Sequence, residues 1–340
     1  FYDGHIARDG QREPCQTRRT PNVDVLLVQG VGDTLFNLNE AAANAAALRA
    51  AGNDVHLIAM QYGHSLPFLQ DIERIAYQTD ATLAWHGKTV ETAALELAYL
   101  DWKLKGAAAP AALPRVAVVL DDDTVLAFDA LPEAHERDHA FTGRAATGGL
   151  DLLKNTLSGN TLGGIARLAK YTATNMQTQI RDWFNRDPDT RDAHGTGLLA
   201  RLVNALPAQH LDELASGGTF LPLVDIDGDD QALAGIPTLE LTLSGGGPAP
   251  VVFIGIGIKR ERQAVTILVN DQLRPVRDVG KHTLDLNGIA TRLQAGDRVG
   301  LLVYGYHPQF LASFSGLPGH VDVSGHVGLP LVSISRHRLT

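Results

Sequence analysis

The chain has 340 residues, 44% hydrophobic and 20% charged, an ordinary globular composition with room for one large domain or two smaller ones. A formal net charge of −9 argues against a nucleic-acid partner, which would need a basic surface to neutralise phosphates. A single cysteine, Cys15, excludes an intrachain disulfide and a CxxC metal site, and no apolar run reaches the length of a membrane span.

The chain opens on Phe1, and F-Y-D-G-H-I reads as interior sequence without a signal peptide, so a longer parent protein is expected and the compartment stays open. Residues 23–29 (V-D-V-L-L-V-Q) form a branched apolar run between Pro21 and a G-V-G-D loop, the pattern of a buried strand. The alanine-rich stretch from Leu38 follows, with Leu38, Ala41, Ala45 and Leu48 on one face. Asn37 or Asn39 is placed to cap this helix and Gly52 to end it. Residues 55–59 (V-H-L-I-A) read as a second strand, leading into M-Q-Y-G-H.

Strand, helix, strand in about 35 residues is a βαβ unit, so the two strands are expected to be parallel. Sites in such sheets form in the loops beyond the carboxyl ends of the strands. Asp33 and His64 both fall there, after successive strands.

Residues 92–105 predict an amphipathic helix, with Leu95, Tyr99 and Trp102 on one side, Leu97, Leu100 and Leu104 beside them, and Gly106 at its end. A-A-A-P-A-A-L-P over 107–114 reads as a linker. The expected division is therefore an α/β unit over 1–110 and a β-rich unit over 111–340. Residues 116–120 and 125–128 look like strands, 145–216 like a helical insertion, with 162–169 and 198–206 the best helices. Strands dominate from Thr219 on: 238–243, 251–258, 264–269, 282–286, 299–306, 320–327 and 331–334, separated by turn residues as in a β-sandwich.

The strongest chemical constellation is G-x-G-D-T-L-F over 30–36 followed by Y-G-H over 62–64. In a Ser-His-Asp triad, a buried carboxylate accepts the imidazole Nδ1–H, and the other ring nitrogen takes the proton of the serine. The order Asp then His fits the order Ser, Asp, His of α/β-hydrolases. Spacing alone leaves a second reading open, because Asp suits a turn after a strand in any fold.

The block V-D-V-L-L-V-Q-G-V-G-D-T-L-F-N-L-N-E-A, then A-L-R-A-A-G and Q-Y-G-H, resembles the last catalytic strands of the X-prolyl dipeptidyl-peptidase and cocaine-esterase (CocE/NonD) family. The helix ending Y-L-D-W-K-L-K-G resembles that family's final catalytic-domain helix. A-G-I-P-T-L-E-L, L-D-L-N-G-I-A and L-Q-A-G-D-R-V resemble parts of its C-terminal jelly roll. The resemblance covers roughly residues 22–66, 92–106 and 219–334. It implies an α/β fold plus β: the C-terminal portion of an α/β-hydrolase parallel sheet followed by a jelly-roll β-sandwich. It further implies Asp33 and His64 as triad residues, no cofactor, and a small ester, amide or peptide substrate. Residues 145–216 depart from the family pattern.

The family's nucleophile sits in a G-x-S-x-G elbow, and none occurs here; Gly63-His-Ser-Leu-Pro67 lacks the last glycine. The chain is therefore expected to be a fragment that cannot hydrolyse by the triad route alone, because His64 has no hydroxyl to activate. The rival reading is a non-catalytic β-sandwich binding module with a degenerate α/β half. Among lesser candidates, D-I-D-G-D-D over 225–230 reads as an Asp-rich turn rather than a Ca²⁺ site, and D-D-D over 121–123 as a solvated turn. Gly255-x-Gly257 reads as close packing or a bulge within a strand rather than a phosphate loop. Trp85-His86 reads as a packed aromatic near the His64 loop, and the remaining histidines show no metal-ligand spacing.

Overall fold

The computed structural model describes residues 6–8, 11–13, 21–63, 82–110, 113–134, 138–147, 218–245, 247, 250–260, 266–305, 307, 310 and 319–339. His64 and most of the expected helical insertion (148–216) lie outside the described residues.

A short hairpin, β1 (Ile6–Arg8) and β2 (Gln11–Glu13), comes first. The α/β body then runs β3 (Val25–Gly30), α1 (Leu38–Ala50), β4 (Val55–Met60), a hairpin of β5 (Thr82–Trp85) and β6 (Lys88–Glu91), α2 (Thr92–Lys105), β7 (Val116–Val119) and β8 (Val125–Phe128). Four of these strands make one sheet in the order β3-β4-β7-β8, with β3, β4 and β7 parallel and β8 antiparallel to β7.

Strand β4 is buried along its whole length because both faces of the sheet are covered. Leu57 and Ala59 face Leu38 and Ala41 of α1, whereas Ile58 and Met60 face Leu95 of α2 and Trp85. The two helices thus lie on opposite faces. Helix α1 buries the four residues its spacing predicts, Leu38, Ala41, Ala45 and Leu48. Helix α2 buries Thr92, Leu95 and Tyr99 and ends on Gly106 in the left-handed region (φ 69°), where a side chain would be strained. Its Leu97, Leu100 and Leu104 face outward.

The linker-like stretch 107–114 does not interrupt this body. Beyond it, β7 pairs parallel with β4 and β8 antiparallel with β7, so the same sheet continues to residue 128.

The β-rich part comprises β9 (His139–Thr147), β10 (Thr219–Asp225), β11 (Gln231–Gly235), β12 (Thr238–Gly245), β13 (Val251–Lys259), β14 (Ile267–Leu268), β15 (Arg274–Arg277), β16 (Gly280–Asp285), β17 (Ile289–Arg292), β18 (Arg298–Tyr304), β19 (Gly319–Gly328) and β20 (Leu331–Ser333), with a last turn of helix, α3 (Ile334–His337). Residues 145–147, read from sequence as the start of the insertion, instead extend β9. Ala145, Ala146 and Thr147 carry no strong strand signal of their own, and pairing with β19 decides the conformation.

One antiparallel sheet has the order β16-β12-β19-β9, another β10-β18-β13-β14 with β15 also on β13. Their apolar faces share one core. Leu239, Leu241 and Leu243 of β12 point into it while Glu240 and Thr242 point out. Val252, Ile254, Ile256 and Ile258 of β13 meet them from the other sheet. The opposite face of β13 is also buried, with Val251 and Phe253 against Leu273, Leu302 and Tyr304.

A third small sheet, β17-β11-β20, joins the two parts. Its Ala232, Ala234 and Ala290 pack with Leu57, Ala59, Val118 and Leu126 in a single cluster. Small residues there let the two sheets approach closely. The chain then returns to β8, where Leu339 N–H donates to the Val125 carbonyl at 2.8 Å.

Candidate functional site

Strand β3 delivers Asp33 to the carboxyl end of the parallel sheet. The ladder continues one residue past the strand, as Val31 N–H donates to the Met60 carbonyl at 2.6 Å. The chain then turns on Gly30 and Gly32. Asp33 is buried, at 3% exposure. Its Oδ1 accepts two backbone N–H groups, from Leu35 and Phe36, each at 2.9 Å. This Asx-type turn follows from a short carboxylate placed ahead of exposed backbone donors. Gln29 Nε2 donates to the Phe36 carbonyl at 2.7 Å and lies 3.5 Å from Asp33 Oδ2.

The loop after β4 runs against this turn backbone to backbone. A Cβ built on Gly30 would lie 1.7 Å from the Tyr62 carbonyl oxygen, and one on Gly63 would lie 2.2 Å from the Asp33 nitrogen. Only glycine at both positions allows the approach. The two candidate loops therefore meet at Gly63, the residue before His64; His64 itself lies outside the described residues.

Sequence reasoning missed the groups that hold these loops from the β-rich part. Gln272 is 2% exposed, and its Nε2 donates to the carbonyls of Val31 (2.9 Å) and Asp33 (3.0 Å). Gln61, two residues before Gly63, donates to the carbonyls of Val119 (2.7 Å) and Ala290 (3.0 Å) and accepts from Asn270 Nδ2 (3.1 Å). Single amides far along the chain carry no local pattern, so no motif could have marked them.

Asn37 occupies the N-cap position of α1 without making a side-chain cap; its Nδ2 donates instead to Asn287 Oδ1 at 3.3 Å. Asn39 likewise bonds the Leu286 carbonyl and the Gly288 N–H. The expected helix caps are spent on joining the two parts, and Asn39 there supplies partners to the Leu286 carbonyl and the Gly288 N–H.

The acidic turns are structural. Asp225 pairs with Arg298 (2.6 Å), Asp229 accepts the Ala295 N–H, and Asp230 accepts from Ser333 and Ser335. Asp121 accepts Arg292 N–H and Thr291 Oγ1, and Asp122 pairs with Arg292. This corrects the picture of a merely solvated turn at 121–123, since it pins β7 to β17. Gly255 shows the close packing expected of it, because a Cβ there would lie 2.4 Å from the Gln272 carbonyl oxygen. Trp85 is a packed aromatic, buried with Ile58, Met60 and Leu95. Among the described residues, no group of three His, Cys, Asp or Glu side chains is placed to hold a metal ion.

Neither a family model nor a curated protein matches the sequence. Solved structures do. An aminopeptidase from the marine sediment archaeon Thaumarchaeota archaeon matches 91% of this chain with a TM-score of 0.51 at 12% identity. Over the matched span the chain has that aminopeptidase's fold. An α-amino acid ester hydrolase (TM-score 0.49, 12% identity, 90% of this chain) and a CocE/NonD family hydrolase from Staphylococcus aureus (0.47, 9%, 95%) are also similar. CocE/NonD is the family that the sequence blocks resemble. The chain spans 55 to 56% of the length of these three structures. No helix among the described residues is long and apolar enough to cross a membrane.

Proposed function

We propose that this chain is the C-terminal part of a serine hydrolase of the α/β-hydrolase fold, with Asp33 and His64 as the carboxylate and the base of its triad. The observation that carries the reading is the meeting of the two loops at Asp33 and Gly63, at the carboxyl end of a parallel sheet. In this reading the Asp33 carboxylate, whose Oδ1 is spent on the turn, is the group that fixes the tautomer of the His64 base. His64 then takes the proton of a serine as that serine attacks an acyl carbon, and gives it to the leaving group.

The serine belongs to sequence preceding residue 1, because the chain holds no G-x-S-x-G and covers 55% of the aminopeptidase structure. The substrate is a small ester or amide. The β-rich part, wound as a jelly roll, walls the acyl pocket, and the hydrolase part extends to residue 128, where its sheet ends.

A fluorophosphonate probe on the intact natural protein tests this. Covalent labelling at a serine preceding residue 1, lost in His64→Ala, is the expected result. Labelling of one of this chain's own serines, or labelling indifferent to His64→Ala, overturns it. An intact protein that takes no label also overturns it and leaves the reading of a binding module standing.

A further inference from the structure

Helix α2 presents a row of leucines to solvent. Leu97, Leu100 and Leu104 are 62, 47 and 78% exposed. With Ala93 they recur at spacings of four, three and four residues and span about 60° of the helix circumference. A solvated helix face carries polar side chains; here Glu96, Asp101, Lys103 and Lys105 flank the row instead of filling it.

The row lies on the side of α2 nearest β3. Around the helix, Lys103 and Glu96 separate the leucines from the buried Leu95 and Tyr99 on that flank. Lys103 Nζ reaches Asp24, the residue before β3, at 2.9 Å.

Strand β3 is covered on one face. Val25 and Leu27 pack with Ala45 and Leu48 of α1. Leu26 and Val28 belong to the other face, where Leu95 packs with Ile58 and Met60 of β4 and with Ala117 and Val119 of β7. They stay half-buried, whereas Ile58 and Met60 on the neighbouring strand are buried. Parallel sheets carry helices on both faces, and among the described residues β3 has one on its α1 side only.

A single helix lying over β3, beside α2, answers both features. It buries Leu26 and Val28 from above and the leucine row from the side. A row at these spacings packs against a neighbouring helix at about 8–10 Å between axes. The chain spans 55% of the aminopeptidase structure, and β4 is the only partner of β3 among the described residues, so the sheet's continuation is the source of such a helix. A partner that met the leucines alone, such as α2 of a second copy, would leave Leu26 and Val28 half-buried.

We infer that Leu97, Leu100 and Leu104, with Leu26 and Val28, form the seat of an apolar-faced helix contributed by the sequence preceding residue 1. The inference shares with the proposed function the reading of a longer parent chain, and uses neither triad residue.

Single cysteines test it in the intact natural protein and in this chain, with native cysteines replaced by serine and circular dichroism to verify folding. In this chain at high dilution, Leu97→Cys, Leu100→Cys and Lys105→Cys are expected to react with a maleimide at similar rates. In the intact protein the two leucine positions are expected to slow on the order of 100-fold. Lys105→Cys, on the opposite flank of α2, keeps its rate. Either leucine variant decides alone where the other does not fold. A benzophenone carried on Leu104→Cys is expected to crosslink, on irradiation, to a peptide preceding residue 1. Equal rates in the two proteins, protection of Lys105→Cys as well, protection that fades on dilution, or a crosslink within residues 1–340 overturns the inference. Protected leucines in a protein that takes no fluorophosphonate overturn the hydrolase reading and leave the helix seat standing. A labelled serine beside freely reactive leucines does the reverse.

Discussion

Gly63 and Asp33 touch through their backbones, so closely that a methyl group on Gly63 would lie 2.2 Å from the Asp33 nitrogen. Two loops from neighbouring parallel strands are locked together at one point. Everything proposed about the site depends on that contact.

Gly63→Ala tests it directly. The added carbon has backbone on the far side and nothing flexible to displace. We expect a loss of about 1–3 kcal/mol, as for other overpacking substitutions, and a lower Tm by calorimetry. Gly228→Ala is the control, because a Cβ there meets nothing within 4 Å and the residue is not left-handed. Its Tm should match or slightly exceed the wild type. Equal behaviour of the two variants would mean that the loops yield easily.

Asp33→Asn separates structure from chemistry. Asn retains an oxygen that can accept from the Leu35 and Phe36 N–H groups, so the turn is kept and Tm should stay close to wild type. In the intact protein, ester hydrolysis should fall by about 10⁴-fold in kcat, as when a triad carboxylate becomes an amide. Activity within a few-fold of wild type would remove Asp33 from the mechanism.

At the opposite end of the sheet, Lys103 bridges Asp24 (2.9 Å) and Asp54 (2.7 Å). The bond from Lys103 holds both carboxyls below their ordinary 3.8. Burial works to lower the Lys103 value, but the bonds from Asp54 and Asp24 outweigh it and raise it above 10.5. Carboxyls lowered in the folded state contribute stability above pH 3.8 that disappears as pH falls through their folded values. A lysine raised in the folded state contributes stability below pH 10.5 that disappears as pH rises through its folded value. The stability lost in Lys103→Met should therefore be constant between about pH 5 and 9 and shrink on both sides. Denaturant titration across that range checks it, and a difference independent of pH would remove the ion pairs as its source.

Strand β3 ends the sheet on one side, and β4 is its only partner among the described residues. Its Val25, Leu26, Leu27 and Val28 are half-buried, which leaves an apolar, unpaired edge. We expect the isolated chain to self-associate in sedimentation experiments. A monodisperse, thermostable monomer would count against an interrupted sheet.

The parts legible in the sequence are those whose signals are local. Leu38, Ala41, Ala45 and Leu48 recur at helical spacing, and they are the residues α1 buries. Helix α2 was readable to its last residue because Gly106 marks a left-handed stop. The branched runs of β3 and β4 were found to within two residues because each is apolar and bounded by glycine or proline. Less legible was where each strand pairs. Residues 116–119 look the same whether they join a sandwich or a parallel sheet; only Leu57 and Ile58 of β4, lying alongside, decide it. Asn37 and Asn39 read as helix caps, but the Asn287 side chain takes Asn37, and the backbone of Leu286 and Gly288 takes Asn39.

By itself, the sequence determined a βαβ unit with Asp33 at a strand end, because a buried strand, an amphipathic helix and a glycine turn are written in consecutive residues. Tertiary structure alone decided what holds that aspartate. Gln272 stands 239 residues away from it. The Asp33 carbonyl needs a donor once buried, and a hydrogen bond across that separation is set by how two sheets pack, not by any pattern along the chain.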